Sequence, residues 1–219
     1  MIDLTPDDFI DRFCARFSPK DHRYTGPLHA QPGDSLSASV SLEEGWILSC
    51  LAAELGGPVL EIGANQGVST RFIHEGLDHL KWPADQQIVS IDLDHLWPED
   101  DHWPRRCMMT ADSALLNPQH FLHRFKWAFI DGDHTYPGAT ADICLCLALG
   151  INRMILHDTL PEGAYRGPPY RDYPASHARR AACEFLPGFD LFSVSTVSGL
   201  LYAERVSKPP ENCNWFCRN

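Results

Sequence analysis

Short apolar runs alternate along the chain with segments whose apolar residues recur at helical spacing. Each run is bounded by turn or charged residues, as is typical of a buried strand in a parallel sheet. The runs cover residues 58–62, 87–93, 107–110, 127–130 and 153–156. Helical spacing follows two of them, beginning near Ser69 and near Ala139. This alternation predicts an α/β fold whose parallel sheet has helices on both faces.

The N-terminal part of the chain predicts two further helices. Residues 2–18 carry Phe9, Ile10, Phe13 and Phe17 at helical spacing, which indicates a helix that covers the core. A second helix is predicted over residues 41–55, where a serine and early acids precede the apolar positions and two glycines follow them.

The C-terminal part predicts a hairpin after a helix at 178–185. Residues 189–196 and 200–205 read as two strands, and Val197-Ser198-Gly199 is a turn signal between them. Such a hairpin adds an antiparallel strand to the sheet, so we expect a mixed sheet.

Three irregular segments interrupt these elements, at residues 19–40, 95–106 and 161–177. The last contains three tyrosines, two arginines and four prolines, and it follows the fifth predicted strand directly. Long loops of this kind in a compact domain are usually functional. We therefore interpret residues 161–177 as a lid or as a wall of a substrate site.

The charge balance narrows the partners that the protein can have. There are 18 basic and 29 acidic residues, a net charge of −11, which disfavours nucleic acid as a substrate. No stretch reaches the ~20 apolar residues that a membrane-spanning helix needs. The acidic, amphipathic N-terminus is unlike a signal peptide, so the sequence favours a cytoplasmic protein.

The eight cysteines are interpreted mainly as small core residues. Cys50, Cys144, Cys146 and Cys183 lie in apolar helical surroundings. Cys213 and Cys217 near the C-terminus are too few ligands to predict a zinc site, and their role is left open.

The first candidate site is the turn after residues 58–62, where the pattern is Glu61-x-Gly63-x-x-x-Gly67. Glycines let a ligand approach bare backbone, and the helix that follows offers unpaired N–H groups at its start. The spacing differs from the dinucleotide pattern Gly-x-Gly-x-x-Gly. The carboxylate of Glu61 would repel a pyrophosphate and suits a ligand with positive charge. A purely structural strand–turn–helix remains the alternative.

Acidic residues follow the next two strands. Asp92 lies near the end of the run 87–93. From that position a carboxylate accepts hydrogen bonds from both hydroxyls of a ribose. Asp94 is better explained as a solvated loop residue. Asp112 and Ser113 follow the third strand, and either of them could instead cap a helix.

The fourth and fifth strands both end in ionisable residues. Asp131-Gly132-Asp133-His134 follows residues 127–130, and His157-Asp158 follows residues 153–156. Because the carboxyl ends of parallel strands share one edge, Asp131 and Asp158 are expected to converge. Two such carboxylates hold a divalent cation or raise one another's pKa.

These motifs together resemble the class I S-adenosylmethionine (SAM) methyltransferases. The run Asp-Gly-Asp-His-Thr-Tyr, the helix with Asp142 that follows it and the later His-Asp-Thr look like the small-molecule O-methyltransferase branch. This branch includes macrolide-sugar O-methyltransferases and cephalosporin hydroxylase-like proteins. The similarity covers roughly residues 41–204. It implies a Rossmann-like, seven-stranded mixed sheet with helices on both faces and a C-terminal antiparallel hairpin.

The resemblance also implies roles for individual residues. Cofactor contacts fall on Glu61, Gly63, Asn65, Gly67, Asp92, Asp112, Ser113 and Asp131. In this family an acid and a small polar residue after the third strand contact the adenine amino group, and Asp112 fits the place of the acid. Asp131, His157 and Asp158 take the positions of metal ligands, for magnesium or another divalent cation, although the imidazole of His157 suits softer metals. Asp131, His134 and His157 are the catalytic candidates, with either histidine as a general base.

The resemblance thus predicts a SAM-dependent methyltransferase that acts on a hydroxyl of a small-molecule acceptor. Residues 1–45 would form an N-terminal helix and substrate-side cap, residues 46–206 the catalytic domain and residues 207–219 a tail. Two alternatives are a nucleotide-binding oxidoreductase and a non-catalytic SAM-binding partner protein. The acceptor and a homo-oligomeric state are left open by the sequence.

Overall fold

The computed structural model describes residues 1–14, 40–83, 85, 87–94, 105–122, 124–161 and 175–205. Most of the proposed lid, most of the other two irregular segments and the tail with Cys213 and Cys217 lie outside the described residues.

The described residues form one sheet of eight strands in the order β1-β7-β8-β6-β5-β2-β3-β4. The strands are β1 Ile2–Leu4, β2 Val59–Ile62, β3 Ile88–Asp92, β4 Arg106–Thr110, β5 Trp127–Ile130, β6 Arg153–Leu156, β7 Asp190–Val194 and β8 Leu200–Glu204. Strand β8 is antiparallel to both of its neighbours, and the other adjacent pairs are parallel. The α/β class, the mixed sheet and the C-terminal hairpin are confirmed.

The predicted strand number of seven is wrong by one, and the predicted helix over residues 2–18 is the cause. Ile2–Leu4 pairs in parallel with Phe192–Val194 and extends the sheet at its edge. The helix begins only at Pro6, where Thr5 and Asp8 form a capping box. Helical spacing of the phenylalanines revealed the helix, but not the strand before it.

In the part of the chain that the structure describes, five α-helices cover the sheet: α1 Pro6–Phe13, α2 Leu42–Leu55, α3 Val68–His79, α4 Tyr136–Ala148 and α5 Ala175–Phe185. Ser41 and Glu44 form a capping box at the start of α2. Thr135 caps α4, which therefore begins three residues before its predicted start at Ala139.

The core has one layer on each face of the sheet. In β5, Trp127 and Phe129 pack with residues of α1, α2 and α3, whereas Ala128 and Ile130 pack with residues of α4 and α5. Because successive strand residues point to opposite faces, short continuous apolar runs supply both layers. The helices on both faces of the sheet are thereby confirmed.

Two smaller expectations have mixed outcomes. Cys50 and Cys146 are buried as expected, but Cys144 is only partly buried and Cys183 is exposed. Among the described residues, no helix has the length and apolar character needed to cross a bilayer.

Candidate active site

The carboxyl edge of the sheet brings the predicted site residues together because neighbouring strands end in register. Ile62 of β2 pairs with Ile130 of β5, so Gly63 and Asp131 leave the sheet side by side. The ladder continues one residue further, since the Asp131 N–H donates to the Ile62 carbonyl at 2.8 Å. The His157 N–H donates in the same way to Ile130 at 2.9 Å.

The turn after β2 has the backbone that its glycines predicted. Gly63, Asn65 and Gly67 have φ values of +85°, +43° and +77°, in the region that glycine adopts freely. A Cβ on Gly63 would lie 2.1 Å from the carbonyl oxygen of Asp131. The turn can therefore approach the end of β5 only because this residue has no side chain.

Glu61 requires a correction, because its side chain does not line the cleft. It is fully buried and accepts hydrogen bonds from Ser69 at 2.7 Å, Thr70 at 2.5 Å and Ser90 at 2.5 Å. Burial raises the pKa of Glu61, and the three hydroxyl groups oppose that rise. Through these hydrogen bonds Glu61 connects the start of α3 to β3 and stabilises the turn between β2 and α3.

Asp92 lies where the sequence predicted, as the last residue of β3. Its Oδ2 accepts a hydrogen bond from the backbone N–H of Asn65 at 2.6 Å. Asp92 is half-buried and Asp94 is exposed, in line with the preference for Asp92 as the site residue. The carboxylate is thus fixed against the glycine turn.

Asp112 and Ser113 have separate partners after β4. Asp112 caps a short 3₁₀ turn and accepts from the Ala114 N–H at 2.9 Å, so the capping alternative holds for it. The Ser113 hydroxyl donates to Oδ1 of Asp142 at 2.5 Å.

Asp142 is part of the sequence resemblance, but the sequence analysis gave it no role in the site. It is 1% exposed, and its Oδ2 has no hydrogen-bond partner among the described residues. Burial raises the pKa of Asp142 to about 6; the Ser113 hydrogen bond lowers it, and the nearby charges of Asp133 and Asp112 raise it. An acid on the buried face of an otherwise apolar helix was the available sequence signal.

Asp131, His134 and Asp158 form a compact group at the ends of β5 and β6. His134 Nε2 lies 3.6 Å from Asp131 Oδ1, and His134 Nδ1 lies 3.6 Å from Asp158 Oδ2. One potential ligand atom from each residue lies within 4.8 Å of the others. The predicted convergence of the two carboxylates is what the structure shows.

His157 is not a member of that group, which corrects its predicted place as a metal ligand. Its Nδ1 lies 2.8 Å from Asp131 Oδ1, and its Nε2 lies 2.7 Å from Ser198 Oγ and 3.4 Å from Glu44 Oε2. Both ring nitrogens thus face protein groups. Burial alone would lower the pKa of His157, but Asp131 and Glu44 raise it well above its usual range.

Glu44 is a second residue that sequence reasoning missed as part of the site. Besides capping α2, its Oε1 accepts hydrogen bonds from the hydroxyls of Thr196, at 2.7 Å, and Ser198. Burial alone would raise the pKa of Glu44, but His157 and Ser198 lower it well below its usual range. Glu44, His157 and Asp131 form a buried carboxylate–imidazolium–carboxylate row.

The pKa of Asp131 is subject to opposing influences within this row. The pKa of Asp131 is raised by burial and by the charge of Asp158, while His157 and His134 oppose that rise. Because His157 supplies a positive charge beside it, Asp131 can be held as a carboxylate in a buried position.

Comparison with known proteins adds the decisive observation. Residues 60–157, which contain the glycine turn, β5 and the end of β6, match the model of a family described as a methyltransferase domain. This 98-residue region is similar to a methyltransferase domain. The predicted enzyme class is confirmed, and the match gives no support to the oxidoreductase alternative. No curated protein sequence matches the chain significantly.

Solved methyltransferases share the fold of this chain. A Podospora anserina methyltransferase bound to S-adenosylhomocysteine (SAH) is 14% identical, with a TM-score of 0.58 over 76% of this chain and 80% of that chain. A Bacillus cereus O-methyltransferase in complex with SAH is 19% identical, with a TM-score of 0.57 over 77% and 83% of the two chains. The O-methyltransferase TomG of Streptomyces achromogenes, solved with SAM, is 18% identical, with a TM-score of 0.55 over 77% and 82%.

Proposed function

We propose that this protein is a SAM-dependent O-methyltransferase that methylates a hydroxyl group of a small molecule. The observation that carries the proposal is the backbone contact between Gly63 and Asp131. It places the glycine turn beside the group of acids and imidazoles, so that a methyl donor and a proton acceptor would lie next to each other. The neighbours named as O-methyltransferases support oxygen as the acceptor atom.

The residues present fit the proposed methyl donor. Gly63 and Gly67 give the turn its positive-φ backbone, and Asp92 stands at the end of β3 to accept hydrogen bonds from the ribose. Asn65 lies in the turn between them. Ser113 is the small polar member of the pair that the resemblance puts at the adenine amino group, and we assign it to the adenine end. The acids that surround the turn favour the positive charge of a sulfonium group.

Bound SAM would supply a methyl group on a positively charged sulfur. In the proposed reaction, the acceptor oxygen forms a bond to the methyl carbon, the carbon–sulfur bond breaks towards sulfur, and the hydroxyl proton passes to the protein. Positioning of the two reactants can supply about 7–11 kcal/mol of the barrier. The fixed turn and the fixed strand ends provide that positioning.

His134 is proposed as the residue that takes the hydroxyl proton. Its side chain is 14% exposed, whereas that of His157 is 3% exposed and faces Glu44 and Ser198. Asp131 and Asp158 lie close to its two ring nitrogens and stabilise the imidazolium that forms. His157 instead acts as a fixed positive charge that orients Asp131.

Asp131, His134 and Asp158 also have the donor atoms of a divalent-metal site. One imidazole and two carboxylates suit manganese, iron or zinc better than magnesium, which prefers oxygen ligands. A cation held there would act as a Lewis acid and lower the pKa of the acceptor hydroxyl. In that case all three side chains would bind the cation, and His134 would not act as the base.

Removal of divalent metal separates these two possibilities. With His134 as the base, transfer of labelled methyl from SAM to hydroxylated small molecules should retain more than about half of its rate after exhaustive chelation. The metal content of the chelated protein is measured in parallel. A loss of transfer that manganese or zinc reverses, and magnesium does not, would assign the three residues to a metal and contradict His134 as the base.

A further inference from the structure

Asp142 of α4 contacts the segments that follow two strands, β5 and β4, which are not neighbours in the sheet. Asp142 of α4 packs beneath Gly132, which follows β5: a Cβ on Gly132 would lie 2.9 Å from Asp142 Oδ2. The other oxygen of Asp142 accepts the Ser113 hydroxyl at 2.5 Å, and Ser113 follows β4. Strands β2 and β3, which carry the glycine turn and Asp92, lie between β5 and β4.

The direction of the Ser113 hydroxyl is set by this bond. The pKa of Asp142 is about 6, so at pH 8 it is ionised and can only accept hydrogen bonds. Asp133 and Asp112 are the charged groups acting on it, and Cys146 lies one turn further along α4. A serine hydroxyl has one proton and two lone pairs. With the proton directed at Asp142, Ser113 can only accept from a ligand.

We propose that Asp142 is a positioning residue that fixes Ser113 as a hydrogen-bond acceptor and so makes the cofactor site selective for a base with an exocyclic amino group. The inference rests on the proposed cofactor site, with Ser113 at the adenine end. Adenine presents an amino group to the Ser113 lone pairs. Hypoxanthine presents a carbonyl oxygen at the same place, and two acceptors would face each other.

The buried state of Asp142 supports a role beyond packing. A carboxyl group that is 1% exposed and has one oxygen without a partner among the described residues is costly to keep in a helix. An apolar residue of similar size would pack there at lower cost. Such a residue could not accept the hydrogen bond from Ser113, and the direction of that hydroxyl would no longer be fixed.

The test compares two ligands that differ only at the base, SAH and S-inosylhomocysteine, by calorimetry at pH 8. The full-length protein should bind SAH more tightly by about tenfold or more, since an unmatched buried polar group has a cost of that order. In Asp142→Asn, the amide can either accept from Ser113 or donate to it, so the hydroxyl is free to turn. We expect the preference to fall to within about threefold in this variant and in Ser113→Ala.

Asp190→Asn is the matched control, because it removes an exposed carboxylate at the start of β7 and should leave the preference unchanged. If Asp142 had only a structural role, Asp142→Asn would weaken both ligands equally, and an unchanged ratio would overturn the inference. Equal binding of both ligands by the unaltered protein would also overturn it while leaving the cofactor site in place. Binding of neither ligand would contradict both the inference and the proposed function.

Discussion

Asp131→Asn is expected to lower the rate of methyl transfer by about 10²- to 10⁴-fold, the range associated with losing a general base or the group that orients it. The substitution keeps the shape of the side chain but removes the charge beside His134 Nε2 and His157 Nδ1. SAH should still bind with an affinity within about threefold of the unaltered protein, because the glycine turn and Asp92 are untouched. Single-turnover transfer and calorimetry measure the two effects separately.

Asp133→Asn is the control for this prediction. It makes the same chemical change two residues away, where the carboxylate accepts from the Thr135 N–H and hydroxyl at the start of α4. Transfer should be retained in that variant. If Asp131→Asn lost SAH binding and transfer in the same proportion, the role proposed for Asp131 in the chemistry would be contradicted.

Gly63→Ala is expected to destabilise the fold by about 2–5 kcal/mol and to weaken SAH binding. Part of this cost is conformational, because φ is +85° and a side chain there costs about 1–2 kcal/mol. The remainder is steric, since the new Cβ would lie 2.1 Å from the Asp131 carbonyl oxygen and overpacking costs about 1–3 kcal/mol. The strand ends must separate to relieve the contact, so the donor and base sites move apart.

Gly150→Ala isolates the conformational part of that cost. Gly150 has a φ of +73°, and a Cβ there would meet nothing within 4 Å. Chemical denaturation should therefore show a loss of about 1–2 kcal/mol with SAH binding unchanged. Equal losses of stability in the two variants would mean that the contact between Gly63 and Asp131 has no energetic weight.

The elements that position the site could be predicted because their signals are local. Residues 127–130 and 153–156 were apolar runs followed at once by acids, and both became strands with those predicted bounds. In a parallel sheet such acids share an edge whatever the rest of the fold. The meeting of Asp131 with Asp158 therefore followed from the sequence.

The partners of buried polar groups could not be predicted, because they come from distant parts of the chain. The sequence places His157 at a strand end, but it does not reveal that Glu44 and Ser198 hold its ring. Likewise, the hydroxyl groups that donate hydrogen bonds to the Glu61 carboxylate come from α3 and β3. For the same reason β1 could not be predicted, because its pairing partner β7 lies far along the chain.

Calorimetric titration with SAH, repeated with NAD, tests the central claim most directly. The glycine turn, with Asp92 held against it, predicts that SAH binds with a stoichiometry of about one per chain and that NAD does not bind. Binding of NAD without binding of SAH would contradict the proposed methyltransferase function and favour the nucleotide-binding oxidoreductase. A failure to bind SAH would remove the methyl-donor site on which the proposed reaction depends.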